Sequence, residues 1–326
     1  MKRSTRRFFV LTILVAAFSF AASNCFAVTT VKAGHVLATG SPYHMGMVKF
    51  GELVKTKTEG CYVIEIYPNG QIGSERDLIE GVQLGSVGMA IVASGPVSNF
   101  APELAVVDLP FLFTGYEPAD RVFKGNVGKY LAERVDEAGL KCLGFWENGF
   151  RDLTNSKHPV KSVSDVKGLK IRTMENAMHQ ALWKAFGADP VPMAWGDAYT
   201  AMQQGAIDGQ ENPLPIILAM KVSEVNEYLA ITEHVYAPAV LIINDRIWKK
   251  MSDTDKAAFN EAFKEAGDYE RDVNRQQVSE AISKLESQGM QVTYPDKKEF
   301  RSASAGIKQK LASRFGNLVS RIEAEE

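Results

Sequence analysis

The sequence predicts an α/β fold in two domains, with one long helix to tie them together. Strand-like and helix-like segments alternate along nearly the whole chain, which reads as α/β layers with mostly parallel sheets. The 326 residues are enough for two cores. Residues 252–288 keep a helical pattern without a hard break.

In chain order, the strand "TTVKAGHV" precedes a helical pattern from Pro42 to Thr58. "YVIEIYP" precedes the helix "SERDLIEGVQLG", and "VGMAIVA" precedes a long loop. A helix around Asp120 to Ala138 leads into the strand "LKCLGFWE". Then come "LKIRTM", the helix "NAMHQALWKAFG", the short strand "DPVPM", the helix "GDAYTAMQQG" and the strand "AIDGQEN". "EGVQLGSVGMAI" and "TAMQQGAIDGQE" resemble one another: each ends a helix on Gln-x-Gly, with Gly85 and Gly205 placed as left-handed caps, and runs into a strand. That repeat is expected either from two equivalent halves or from chance recurrence of a common unit. The late helical stretch opens on a Ser252/Asp253 cap and softens only at Gly267. At 1.5 Å per residue it is long enough to cross two small domains.

The first residues combine a basic head, an apolar run from Phe8 to about Ala22 and a small-residue exit at Cys25-Phe26-Ala27. This is the pattern of a secretory signal peptide cut after Ala27, too short for a lasting membrane span. The strength of the apolar run favours the general secretory route, although Arg6-Arg7 also resembles a twin-arginine signal. Asn24 before Cys25 argues against a lipid anchor. The formal charge is −2, and loss of Lys2, Arg3, Arg6 and Arg7 leaves −6 on the mature chain. That balance argues against a nucleic-acid partner. Cys61 and Cys142 lie in apolar strand-like contexts and are expected as buried thiols; a bridge is the alternative in an exported protein.

No nucleophile elbow, phosphate loop, dinucleotide fingerprint or His-Glu-x-x-His motif is present. His35, His44, His158, His179 and His234 are scattered without metal-ligand spacing, and no metal or other cofactor is implied. What remains is a set of polar groups at strand ends, where ligands of α/β sheets bind. Arg172 ends "LKIR" and Arg151 follows "CLGFWENGF". Glu75 and Arg76 open a helix after the turn "NGQIG", and Asn212 closes "AIDGQEN" before Pro213. Several charges so placed suggest a crevice for a small anion.

Together, "G.ERDLIEGVQLG", "GFRDLTNSKHPVKSVSDVKGLKIR", "WGDAYTAMQQGAIDGQENP" and the long late helix resemble the solute-binding components of tripartite ATP-independent periplasmic (TRAP) transporters. The resemblance covers essentially the whole mature chain. It implies a two-domain periplasmic clam-shell that closes on an organic acid and delivers it to a sodium-coupled membrane permease. It also implies that Arg172, at the end of the "GLKIR" strand, forms a salt bridge with the ligand carboxylate, and that Arg151 and Asn212 join it. The expected division is a signal peptide at 1–27, one domain of 28–148 with 237–277, and a second of 149–236 with 278–326. A monomer without a membrane span is expected.

Guanidinium suits the role, because its planar fork matches a carboxylate in two parallel bonds. Each residue also has a plainer explanation. Arg172 could pair with Glu175, Arg151 with Asp152, and Asn212 could satisfy backbone before Pro213. Lys170, deeper along the same strand, is expected at the surface. Glu75 is favoured at a helix start by the dipole, whereas Arg76 is less comfortable there and points to another partner. An acid group in an acid-binding cleft accepts bonds from ligand hydroxyls, so Glu75 favours a sugar acid, a uronate or aldonate, over a dicarboxylate, keto or aromatic acid. His35 ends the first strand and either faces the cleft or is structural. Trp195 and Tyr236 are either ligand-stacking or packing residues, and Asn148 and His234 are weaker candidates. A periplasmic sensor is the alternative within binding proteins. An exported enzyme acting on carboxylates lacks a local nucleophile or acid–base motif.

Overall fold

A computed structural model describes residues 28–325. The signal peptide expected at 1–27 and its cleavage after Ala27 lie outside the described residues. Among those described, ten strands form: β1 (Thr29–Gly34), β2 (Tyr62–Tyr67), β3 (Met89–Ala93), β4 (Leu140–Asn155), β5 (Lys170–Thr173), β6 (Asp189–Pro192), β7 (Gly209–Pro213), β8 (Tyr228–Ala230), β9 (Tyr236–Asn244) and β10 (Gln291–Thr293). Their order is β2-β1-β3-β9-β4-β7-β5-β6, with β8 on β4 and β10 on β8. The pairs β1–β2, β1–β3, β5–β6 and β5–β7 are parallel, as the alternation predicts.

Two lobes result because β4 belongs to both. Leu140–Phe150 pairs antiparallel with β9, whereas Arg151–Asn155 pairs with β7 and β8. The sixteen-residue strand is twice the length of "LKCLGFWE". Its glycines mark bulges rather than an end: register shifts fall between Cys142 and Gly144 and between Glu147 and Gly149. Gly149 adopts φ 116°, which only a residue without Cβ takes cheaply, and the bulge bends the strand just before it changes lobes.

The long helix spans Asp253–Ser287 and is capped by Ser252, whose Oγ accepts from the Asp255 amide. It continues through Gly267, which is there for packing: a Cβ would stand 2.6 Å from the Trp146 indole nitrogen. The helix grips β4 just ahead of the crossing. Asn274 Nδ2 donates to the carbonyls of Glu147 and Asn148 at 3.2 Å each, and Arg275 pairs with Glu147 at 2.8 Å and Asp120 at 2.9 Å. One hydrophobic cluster accompanies it across both lobes, with Phe50, Trp146, Phe259 and Ala266 towards one end and Ile217, Leu229 and Leu285 towards the other.

Two expectations change, and the expected pair of thiols is kept, with Cys61 less buried than expected. The helix expected around Asp120 to Ala138 is two helices, Tyr116–Lys124 and Asn126–Glu137, parted at Gly125. Residues 278–326 do not all lie in the second lobe: Leu318 and Ile322 of the helix Leu318–Glu325 are buried in the first lobe's cluster, and the Glu325 carboxylate accepts from the Val127 amide at 3.3 Å. Cys61 is half-buried and Cys142 buried, both as thiols, and burial pushes the Cys142 thiol up to about 12.

Candidate functional site

The cleft between the lobes holds a cavity walled by Tyr43, Glu75, Asn148, Arg151, Arg172, Trp195 and Asn212, with Val36, Leu37, Ala93, Met174 and Ile216 as its apolar surface. The space among them, mouth included, is about 310 Å³. It lies at the ends of β5 and β7 and at the point where β4 changes lobes, and β7 runs between the other two.

Arg172 is the third residue of β5 and is buried. Its Nε and Nη2 donate to the Met193 carbonyl at 3.0 and 2.7 Å, and its guanidinium lies 5.2 Å from the Trp195 ring centre. Neither Glu175 nor any other described carboxylate forms a salt bridge with it. Burial pulls its pKa down to about 10, against the pull of Glu211. Lys170, two residues earlier, is exposed.

Arg151 stands where β4 changes lobes and is also fully buried. Its partner is Glu211 of β7, through Nε and Nη2, the latter 2.9 Å from Oε1; Asp152 instead accepts from the Glu233 amide at 3.0 Å. Glu211 takes further contacts from His234 Nε2 at 2.9 Å and His179 Nδ1 at 3.4 Å. Burial alone would raise the Glu211 carboxyl, but Arg151 and His179 hold it well below its ordinary range. Burial alone would lower His179, but Glu211 and Asp108 lift it to about 9. Asp108 reaches His179 from the first lobe, 3.6 Å from Nε2, and also accepts from Asn176 at 2.7 Å.

Other groups complete the wall. Glu75 opens the helix Glu75–Leu84, and its Oε1 accepts from the Ala93 amide at 2.7 Å. Burial raises its pKa. Asn212 Nδ2 donates to Gln210 at 2.6 Å. Four buried polar atoms on this one cavity have no partner among the described residues: Tyr43 Oη, Asn148 Oδ1, Arg151 Nη1 and Trp195 Nε1. A buried polar atom left unpaired costs about 1–3 kcal/mol, so their convergence is the signature of a polar guest. Among the described residues, no group of His, Cys, Asp and Glu is arranged to hold a metal ion.

The cavity thus gathers Arg172, Arg151, Asn212, Glu75, Trp195 and Asn148 from the sequence candidates. Four others stand elsewhere. Arg76 is mostly exposed and pairs with Glu80, one helical turn on, at 2.9 Å. His35 is fully buried, 3.1 Å from His44, and burial lowers its pKa to about 3; the next residues, Val36 and Leu37, take the wall. Tyr236 packs among Phe113, Tyr116, Phe123 and Phe150 with its hydroxyl on Glu147, and lines no part of the cavity. His234 serves Glu211. Tyr43 escapes sequence reasoning because a tyrosine in the first turn of an amphipathic helix reads as core. Glu211 escapes it because its partners come from distant segments.

Two lobes sharing a strand, with one arginine near a strand end of their cleft and another where the shared strand crosses, define a solute-binding protein for small acids. Residues 33–314 match the bacterial extracellular solute-binding protein family 7, DctP, and the chain belongs to that family. A solute-binding protein of Verminephrobacter eiseniae is 38% identical over 86% of this chain and 84% of its own length. A TRAP periplasmic solute-binding protein of Polaromonas, bound to D-erythronate, superimposes with a TM-score of 0.89 at 41% identity over 91% of this chain and 98% of that one. The sugar acid binding protein of Advenella mimigardefordensis, in complex with galactonate, gives 0.89 at 30% identity over 92% and 99%. The family is one of extracellular solute-binding proteins, and these two neighbours each hold a small sugar acid. Among the described residues no helix is long and apolar enough to cross a membrane.

Proposed function

We propose that this chain is an exported periplasmic receptor that captures a short sugar acid, an aldonate or uronate, and hands it to a sodium-coupled TRAP permease. Arg172 binds the carboxylate, with Arg151 Nη1 and Asn212 beside it. Glu75 accepts bonds from the hydroxyls, and Tyr43, Asn148 and Trp195 supply the remaining partners. The observation that carries this reading is the set of four unpartnered polar atoms around a buried guanidinium that has no carboxylate of its own. A dicarboxylate would place its second charge near Glu75, whereas a polyol acid places hydroxyls there. The neighbours that hold erythronate and galactonate support the same class.

Binding is by closure about the crossing of β4, between lobes of 28–148 with 237–277 and 149–236 with 278–312, the last helix returning to the first. The mature chain starts after Ala27 and acts as a monomer. A thermal-shift panel of aldonates, uronates, dicarboxylates and aromatic acids tests the reading. A ligand at a hundred times its Kd adds about 2.7 kcal/mol of stability. Aldonates or uronates should give the largest shifts; a panel in which no organic acid moves the melting point defeats the proposal.

A further inference from the structure

We propose that Trp195 is a partition that sets the length of the acid, closing the polar compartment off from a second chamber in the same cleft. This rests on the acid-binding reading above. Beyond Trp195 lies a space of about 500 Å³, mouth included, walled by Asn69 from the first lobe and by Tyr199, Met202 and Met220 from the second. Only Trp195 and Val36 line both spaces.

The two compartments differ in chemistry. The inner one holds both arginines and Glu75, whereas the outer one carries no charged group and offers two thioethers, two valines and an aromatic ring beside the amide of Asn69. The indole between them is held by the Arg172 guanidinium, 5.2 Å from its ring centre, and is itself buried. The residue that anchors the carboxylate therefore also fixes the partition. Gly196 opens onto the outer chamber: no atom lies within 4 Å of where its Cβ would stand.

An acid anchored on Arg172 fits while its chain stays on the near side of the indole. A longer chain meets the ring. Without the ring, an apolar tail enters the outer chamber and buries methylenes against Met202 and Met220, each worth about fourfold in affinity. The filter thus selects short, hydroxylated acids against homologues with an alkyl tail.

The experiment compares 2-hydroxybutanoate with 2-hydroxyoctanoate as competitors of the best acid from the panel. In the unaltered protein the longer acid should bind more weakly. Trp195→Ala should lower the long-to-short Kd ratio by roughly tenfold or more, as for about two buried methylenes, and Trp195→Ala/Gly196→Leu should restore it by filling the chamber. Reading the ratio removes any common loss from a disturbed Arg172. A folded Trp195→Ala protein with an unchanged ratio overturns the proposal, as do equal affinities in the unaltered protein. Gly196→Leu alone gives a check that does not depend on Trp195→Ala folding. It should leave 2-hydroxybutanoate within about twofold, and a loss beyond tenfold would show that the chambers are not separate. Failure of every acid in the panel would instead strike the acid-binding reading itself.

Discussion

Arg151 and Arg172 flank the same strand, line the same cavity and are both buried, yet their charges are handled in opposite ways. Arg151 is neutralised within the protein by Glu211, which His179 and His234 hold in turn, and keeps one free N–H for the cavity. Arg172 is held by a neutral carbonyl and an aromatic face, so its charge stays uncommitted. Geometry is fixed in both cases, but only Arg172 lacks a carboxylate partner within the protein. On the proposed reading the first serves stability with a directed donor, and the second serves affinity.

The largest effect should come from breaking the first arrangement. Glu211→Ala leaves Arg151 and His179 buried without their carboxylate. Removing one partner of a buried pair costs about 3–5 kcal/mol, which for a chain of this size lowers the melting temperature by roughly 5–10 °C. Calorimetric melting checks this, and a loss below about 1 kcal/mol would mean that Arg151 finds another counter-charge.

Arg172→Ala should do the reverse, sparing the fold and striking affinity. Losing one partner of a buried charge pair costs about 2–5 kcal/mol, so titration calorimetry should show a loss of about 30-fold or more. Near-normal affinity would remove Arg172 from the site.

A third test uses pH. His179 has a folded pKa of about 9, above its ordinary value near 6.5, so it binds its proton more tightly in the native state. Its contribution is fully present below about pH 6.5 and is lost as pH rises to about 9, by about 3 kcal/mol at most. Denaturant unfolding across that window should show the decline, and His179→Gln should flatten it. An equal slope in the variant would assign the effect to another group.

In the sequence, the two arginines look alike, and that marks how far sequence reasoning reaches. The end of "GLKIR" can be read locally, because strand alternation and the strand's carboxyl end both place Arg172 at the cleft. The long helix is equally plain, since its Ser252 cap and periodicity are local. Glu211 is not, because its role depends on β4, His179 and His234, which are far apart in sequence. Nor is the crossing of β4: Gly144 and Gly149 look like terminators, and only the partner strands show them to be bulges. His35 is hidden for the same reason, since His44 reaches it only once the following helix has folded back.

Arg76 gives the smallest expected effect and the sharpest control. It too is an arginine beside the cleft, on the helix that carries Glu75, but its side chain is 63% exposed and paired with Glu80 in water. Its partner is visible in the sequence, four residues on and on the same helical face. An exposed pair of this kind is worth about 0–1 kcal/mol. Arg76→Ala should therefore leave acid affinity within about twofold and the melting temperature within about 2 °C. Measured beside Arg172→Ala under identical salt, it separates the effect of a committed, solvated guanidinium from that of a buried, uncommitted one. A tenfold loss of affinity at Arg76 would mean that net positive charge near the cleft, and not the geometry at Arg172, governs capture of the acid.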